Sequence, residues 1–97
     1  MTYVNLISAL ADPTRRGLVE RLASGSKSVG ELAQGLPISR PAVSQHLRSL
    51  REGGLVEVEA QGTSRIYSLS PQALGELRAY IERMWANCLA NLEDPAL

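Results

Sequence analysis

The chain has 97 residues, 44% of them hydrophobic, which fits one small domain, and no apolar run is long enough for a span to cross a membrane. Its one cysteine, Cys88, excludes an internal disulfide and a multi-cysteine metal cage. Ten basic and ten acidic residues cancel, so any work on a polyanion must come from where the charges are placed.

The opening stretch MTYVNLISALADP lacks a basic leader followed by an apolar run and a cleavage site, so the cytoplasm is the expected location. A first helix is expected over about residues 3–11, with Leu6, Ile7 and Leu10 at helical spacing. Asp12-Pro13 supplies an acidic cap and a proline at the first helical position, opening a second helix to about Ala23. Leu18, Val19 and Leu22 face inward there, and Gly25 stops it. Ser28-Val29-Gly30-Glu31 has the form of a capping box and opens a third helix, which Pro37 is expected to close. Ser39 caps a fourth helix, with Pro41 in its first turn, and Gly53-Gly54 ends it.

Residues 55–59 then alternate with period two, Gln61-Gly62-Thr63-Ser64 is turn chemistry, and residues 65–69 return as a second strand. A final helix starts at Ser70-Pro71 and reaches about Leu92. Two short helices joined by a tight turn and followed by a hairpin form a winged helix-turn-helix, whose second helix enters the major groove of DNA.

The fourth helix carries the reading surface. With Val43 at zero and ~100° per residue, Leu47 and Leu50 fall within about 40° and form the buried stripe. Arg40, Pro41, Ser44, Gln45, Arg48 and Arg51 occupy the arc from about 60° to 200°, facing away from the core. Arginine suits guanine, glutamine suits adenine and serine suits either, so this arc holds what base edges require. Ser39 and Arg40 lie at the helix N-terminus, where backbone N–H groups also favour phosphate. No acidic residue lies between Leu32 and Arg51. The competing account of this arc is a solvated helix face; the turn, the acid-free stretch and the wing weigh against it.

His46 falls near 300°, off the arc, where a packed and hydrogen-bonded histidine outweighs a metal ligand, with a phosphate contact at the footprint's edge as the alternative. In the wing, Arg65 is the expected contact to phosphate or the minor groove, against a plain solvated hairpin tip. Tyr67 alternates with Arg65 and is expected to pack on the domain. Glu57 and Glu59 share a strand face that should point away from DNA.

From Glu76 onward two arginines (Arg78, Arg83) face four acids (Glu76, Glu82, Glu93, Asp94), a net of −2. With so little net positive charge, a shallow salt dependence of binding is expected. Leu74, Leu77, Ile81, Trp85, Cys88, Leu89 and Leu92 cluster along one line of the last helix, widened by Met84. This stripe is longer than a small core needs. Together with Tyr3, Leu6, Ile7 and Leu10 it suggests a two-fold dimer interface, an intrachain core being the alternative. Cys88 inside the stripe reads as a small hydrophobe, with redox sensing as the minor alternative.

The motifs Ala9-Leu10-Ala11-Asp12-Pro13-Thr14-Arg15-Arg16, Val29-Gly30-Glu31-Leu32-Ala33, residues 39–47 (SRPAVSQHL) and Gly53-Gly54-Leu55-Val56, in this order, resemble the ArsR/SmtB family of bacterial winged-helix repressors. The resemblance runs from about Leu6 to Trp85. It implies a mainly α fold with a small hairpin in the order α1-α2-α3-α4-β1-β2-α5. It implies a homodimer joined through its first and last helices, and repression from an operator, often the protein's own. Metal-sensing members carry Cys-x-Cys after the Glu-Leu pair, where this chain has Ala33 and Gly35, and no histidine follows His46 for the second metal site. A branch without metal or other cofactor is therefore expected.

The functional expectation is a DNA-binding regulator, most simply a homodimeric repressor on a palindromic operator, formed by one domain over residues 1–97 with dimerising helices at about residues 3–11 and 71–92. The alternative is a winged helix that binds another protein. No glycine-rich phosphate loop, Ser/His/Asp set or paired carboxylates support an enzyme. The inducing signal is left open between a small molecule at the dimer seam, a partner protein and changes in concentration.

Overall fold

The computed structural model describes residues 3–92, with side chains from Asn5 onward. Its elements are α1 (Tyr3–Ala9), α2 (Pro13–Leu22), β1 (Lys27–Ser28), α3 (Val29–Ala33), α4 (Arg40–Glu52), β2 (Val56–Gln61), β3 (Ser64–Leu69) and α5 (Pro71–Leu92). The fold is a winged helix-turn-helix: helices α3 and α4 around a turn, then the β2–β3 hairpin.

Polar caps start the helices where the sequence places them. The Asp12 carboxylate accepts from the Arg15 N–H at 3.0 Å, and Pro13 opens α2. At α3 the reciprocal box is complete: the Glu31 N–H donates to Ser28 Oγ at 3.2 Å, and the Ser28 N–H donates to Glu31 Oε1 at 2.9 Å. Ser39 Oγ accepts from the Ala42 N–H at 3.3 Å, and Ser70 Oγ from the Ala73 N–H at 3.2 Å.

Four details depart from the sequence reading. β1 carries no strand signal of its own in the sequence; it pairs antiparallel with β3 (Lys27↔Tyr67, Ser28↔Ile66), so the sheet has three strands in the order β1-β3-β2 and the hairpin strands are β2 and β3. α3 ends at Ala33, well before Pro37, because Gln34 is already extended and Gly35 takes a φ of 79°. The wing's turn is shorter than expected. Gln61 and Ser64 pair with each other, leaving a two-residue turn led by Gly62 at φ 61°. α1 stops at Ala9, two residues short of the expected end.

The core sits between α2, α3, α4 and the sheet. Leu6, Leu18, Leu32, Val43, Leu47, Leu50 and Leu55 have no exposed surface, and Val56, Tyr67 and Ala73 close around them. Each fully buried aliphatic contributes about 1.5–3 kcal/mol relative to exposure. Leu6 is a correction: it belongs to this intrachain core, because α1 lies inward against the end of α4. Leu10 and Leu77, also expected at an interface, are half-buried against the same core.

The last helix behaves differently along its length. Ala73 is buried and Leu77 packs on the core, but every residue from Ile81 to Leu92 is exposed. Trp85 is 61% exposed and Leu92 79% exposed. The intrachain account of this half of the stripe does not hold. Of the other interface residues named from sequence, Ile7, Leu74 and Cys88 are exposed, while the Tyr3 side chain and residues Glu93 and Asp94 lie outside the described residues.

Candidate nucleic-acid interface

The interface is built on α4. Its inner stripe Val43, Leu47 and Leu50 is fully buried, which fixes the helix's rotation and turns Arg40, Pro41, Ser44, Gln45, Arg48 and Arg51 outward into solvent. Ser39 is exposed at its start, with its hydroxyl oxygen engaged as the cap. Proline at the second position keeps the first turn helical without losing a hydrogen bond.

The wing adds its side of the site through strand register. Val58 faces Tyr67 and Ala60 faces Arg65, so these four share one face of the hairpin. Arg65 and Tyr67 line a cleft of about 390 Å³ together with Val29, Ser44, Gln45, Arg48 and Arg51. Arg51 and Arg65 share a second, smaller cleft floored by Val58 and Ala60. Tyr67 is buried and packs on the domain as expected. Glu57 and Glu59 fall on the opposite face of β2 from Arg65, and both are exposed.

The basic residues divide by what they bond. Arg15 donates from Nε to the Ala9 carbonyl at 2.7 Å and from Nη2 to Ser8 at 3.3 Å, and Arg16 Nη1 donates to the Leu10 and Ala11 carbonyls. Both therefore cap the C-terminus of α1. Arg21 Nη1 donates to the carbonyls of Leu32 at 3.0 Å and Gln34 at 2.7 Å, tying the end of α3 to α2 just before the turn into α4. Lys27 bonds Ser24 and Gly25, Arg78 pairs with Glu82 at 2.8 Å, and Arg83 lies over the Tyr80 ring. Of the chain's ten cations, Arg40, Arg48, Arg51 and Arg65 alone have no protein partner among the described residues. All four lie on the face formed by α4 and the wing.

The three arginines of α2 are what sequence reasoning missed. Arg15 and Arg16 follow the Asp12-Pro13 helix start, so they reach back over the carbonyls left open by the preceding helix. That signal is local. The Arg21 clamp depends on how α2 and α3 pack, which no local spacing reveals.

His46 sits off the reading arc, half-exposed, with Nδ1 3.9 Å from the Asp12 carboxylate. Asp12 is held below the ordinary carboxylate value of 3.8, chiefly by the hydrogen bond from the Arg15 N–H, with the neighbouring imidazole adding to it and partial desolvation opposing it. The pair links the start of α2 to the middle of α4.

Comparison with known proteins agrees with this architecture. A family model described as a helix-turn-helix domain matches residues 10–59. The HTH-type transcriptional regulator Rv2034 of Mycobacterium tuberculosis is 54% identical over 81 residues, spanning 84% of this chain and 76% of that one. The transcriptional repressor SdpR of Bacillus subtilis is 33% identical over 72% of this chain and 78% of its own. Among solved structures, an ArsR-like transcriptional regulator from Rhodococcus sp. RHA1 superposes with a TM-score of 0.79 at 32% identity, covering 94% of this chain and 89% of that one.

Proposed function

Because the chain belongs to the ArsR/SmtB family of winged helix-turn-helix, DNA-binding transcriptional regulators, we propose that it is a homodimeric repressor acting in the cytoplasm on a palindromic operator near its own or an adjacent gene. The observation that carries this reading is the confinement to one face of the four arginines that have no protein partner among the described residues. An arginine left without a carboxylate or carbonyl keeps its full donor set for phosphate or for a guanine edge.

In this reading Ser39, Pro41, Arg51 and Arg65 meet the backbone or fix register, and Ser44, Gln45 and Arg48, central on α4, read bases. Arg40, which its place on the arc groups with the base readers, is assigned to the backbone instead because its guanidinium lies beside Gly30 and the wing. The exposed apolar half of α5, with Ile7 of α1, supports a seam between two copies. Such a dimer would set two reading helices about 34 Å apart, one turn of duplex. Ala33 and Gly35 occupy the positions where metal-sensing relatives place cysteines, which supports a signal other than metal.

Binding-site selection from genomic fragments, followed by competition gel shifts and a promoter reporter, tests the proposal. Arg48→Ala and Gln45→Ala should each lose about 1–3 kcal/mol of discrimination at one base pair of each half-site. Selectivity unchanged in both variants removes these residues from base reading. A chain that prefers no sequence over bulk DNA overturns the repressor reading in favour of a protein-binding winged helix, and a reporter that rises on binding overturns repression alone.

A further inference from the structure

Gly30 occupies the second position of α3, where glycine is a poorer helix former than alanine. Its backbone does not require glycine, since its φ is not among the positive ones. A Cβ built there would stand 3.2 Å from Arg40 Nη2 and 3.6 Å from Arg40 Cζ, and otherwise only 3.9 Å from Ser28 Oγ. What the missing side chain makes room for is therefore the Arg40 guanidinium. Beside it lies a notch of about 330 Å³ that Gly30 and Arg40 share with Ser28, Thr63, Ser64 and Arg65. The notch thus brings together an arginine from the start of α4 and one from the wing, neither with a protein partner among the described residues. Glu31, the nearest acid in sequence, is tied back to the Ser28 N–H and does not line it.

We propose that this notch seats a single phosphate of the DNA backbone, clamped between Arg40 and Arg65, and that Gly30 is the positioning residue that keeps it open. Two guanidinium groups facing one cleft repel each other until an anion sits between them, and a tetrahedral phosphate matches the forked donors of both. The hydroxyls of Thr63 and Ser64 add neutral donors on the wing side. The assignment rests on the DNA-binding reading above and adds one point to it: α4 and the wing hold the same phosphate, so the wing is locked to the reading helix only on DNA.

The test measures binding of the full chain to the duplex recovered by binding-site selection over a range of salt, with thermal melting of each variant alongside. Gly30→Leu should weaken binding on the order of ten-fold, as expected for one lost charge-assisted contact. It should also lower the salt slope by about 1, the signature of one phosphate released. Gly30→Ala should fall between this variant and the parent while melting no lower than the parent, because α3 gains a better helix former. In an Arg40→Ala background, Gly30→Leu should cost less than it does in the parent, since one of the two groups clamping the phosphate is already gone. If leucine prevents folding, Gly30→Ala carries the same comparisons at smaller amplitude. Parental affinity and slope in the Gly30 variants, or losses that add fully to Arg40→Ala, overturn the notch. Failure of the parent chain to bind duplex DNA overturns the DNA-binding reading itself.

Discussion

At Gly53 an added Cβ would stand 2.7 Å from the Ala9 Cβ and 3.1 Å from the Asn5 carbonyl oxygen, whereas Gly54, the next residue, needs glycine for its φ of 87°. The sequence marks both as a helix stop; only Gly54 acts through backbone conformation. Gly53 has an ordinary helical φ of −76° and is small because α1 rests on it. Gly53→Ala must push α1 backbone aside and should cost about 1–3 kcal/mol, read as a lower urea midpoint. Gly17→Ala, in the middle of α2 with nothing within 4 Å of its Cβ, should raise stability by about 0.5–1 kcal/mol. Equal shifts in the two variants would rule out the close approach of α1. Residue roles of this kind are only partly legible in sequence. The outward arc of α4 follows from helical periodicity alone, but that Arg15, Arg16 and Arg21 are spent on carbonyls follows from packing.

Among the elements, α3 is the most dependent on its ends, since five residues close very few internal bonds. Its capping box therefore carries much of it. Ser28→Ala should cost about 0.5–2 kcal/mol. Glu31 is held below its ordinary value of 4.5 by its hydrogen bonds to the Ser28 N–H and hydroxyl. A carboxylate depressed in the folded state adds stability above its unfolded pKa, and that stability is lost as pH falls through the folded value. Urea unfolding between about pH 6 and 3 should show the parent losing more stability toward acid than Glu31→Gln, which keeps the cap's acceptor without the titration. Parallel pH profiles would mean the box carries no charge-dependent part. The helix starts were readable because Asp12-Pro13, Ser28 with Glu31, and Ser39 with Pro41 are local signals. β1 was not, because a two-residue strand exists only through its pairing with β3, far along the chain. Pro37 marks the end of α3 too late, because the left-handed φ of Gly35 ends the helix first.

For the molecule as a whole, the radius of gyration is 16.7 Å, against about 12.5 Å for a compact domain of this length. The excess comes from α5, about 33 Å long, whose second half leaves the core behind. Trp85→Glu should keep the helix content and the core, because Trp85 is mostly exposed, yet sediment as a monomer and bind operator more weakly at equal concentration. A Trp85→Glu chain that sediments like the parent would count against a dimer seam on this helix. The length of this helix is legible from its apolar stripe; which of the expected interface residues the core has already taken, Leu6 of α1 and Leu77 of α5 among them, is decided by how α1 packs against α5 and the end of α4.

Four arginines without a protein partner among the described residues lie on one side of a chain with zero net charge, so its attraction to a polyanion comes from a local field and not from net charge. Beyond the Debye length, about 8 Å at physiological salt, random duplex exerts little pull on it. Within that distance the field of the duplex acts as a torque, turning the α4–wing side inward and the Glu57–Glu59 side of the sheet outward. A molecule arranged this way spends little time held loosely on arbitrary DNA. Its occupancy of a site is set by the contacts made after it has been oriented, so selectivity does not have to be won against a large background of charge-driven binding.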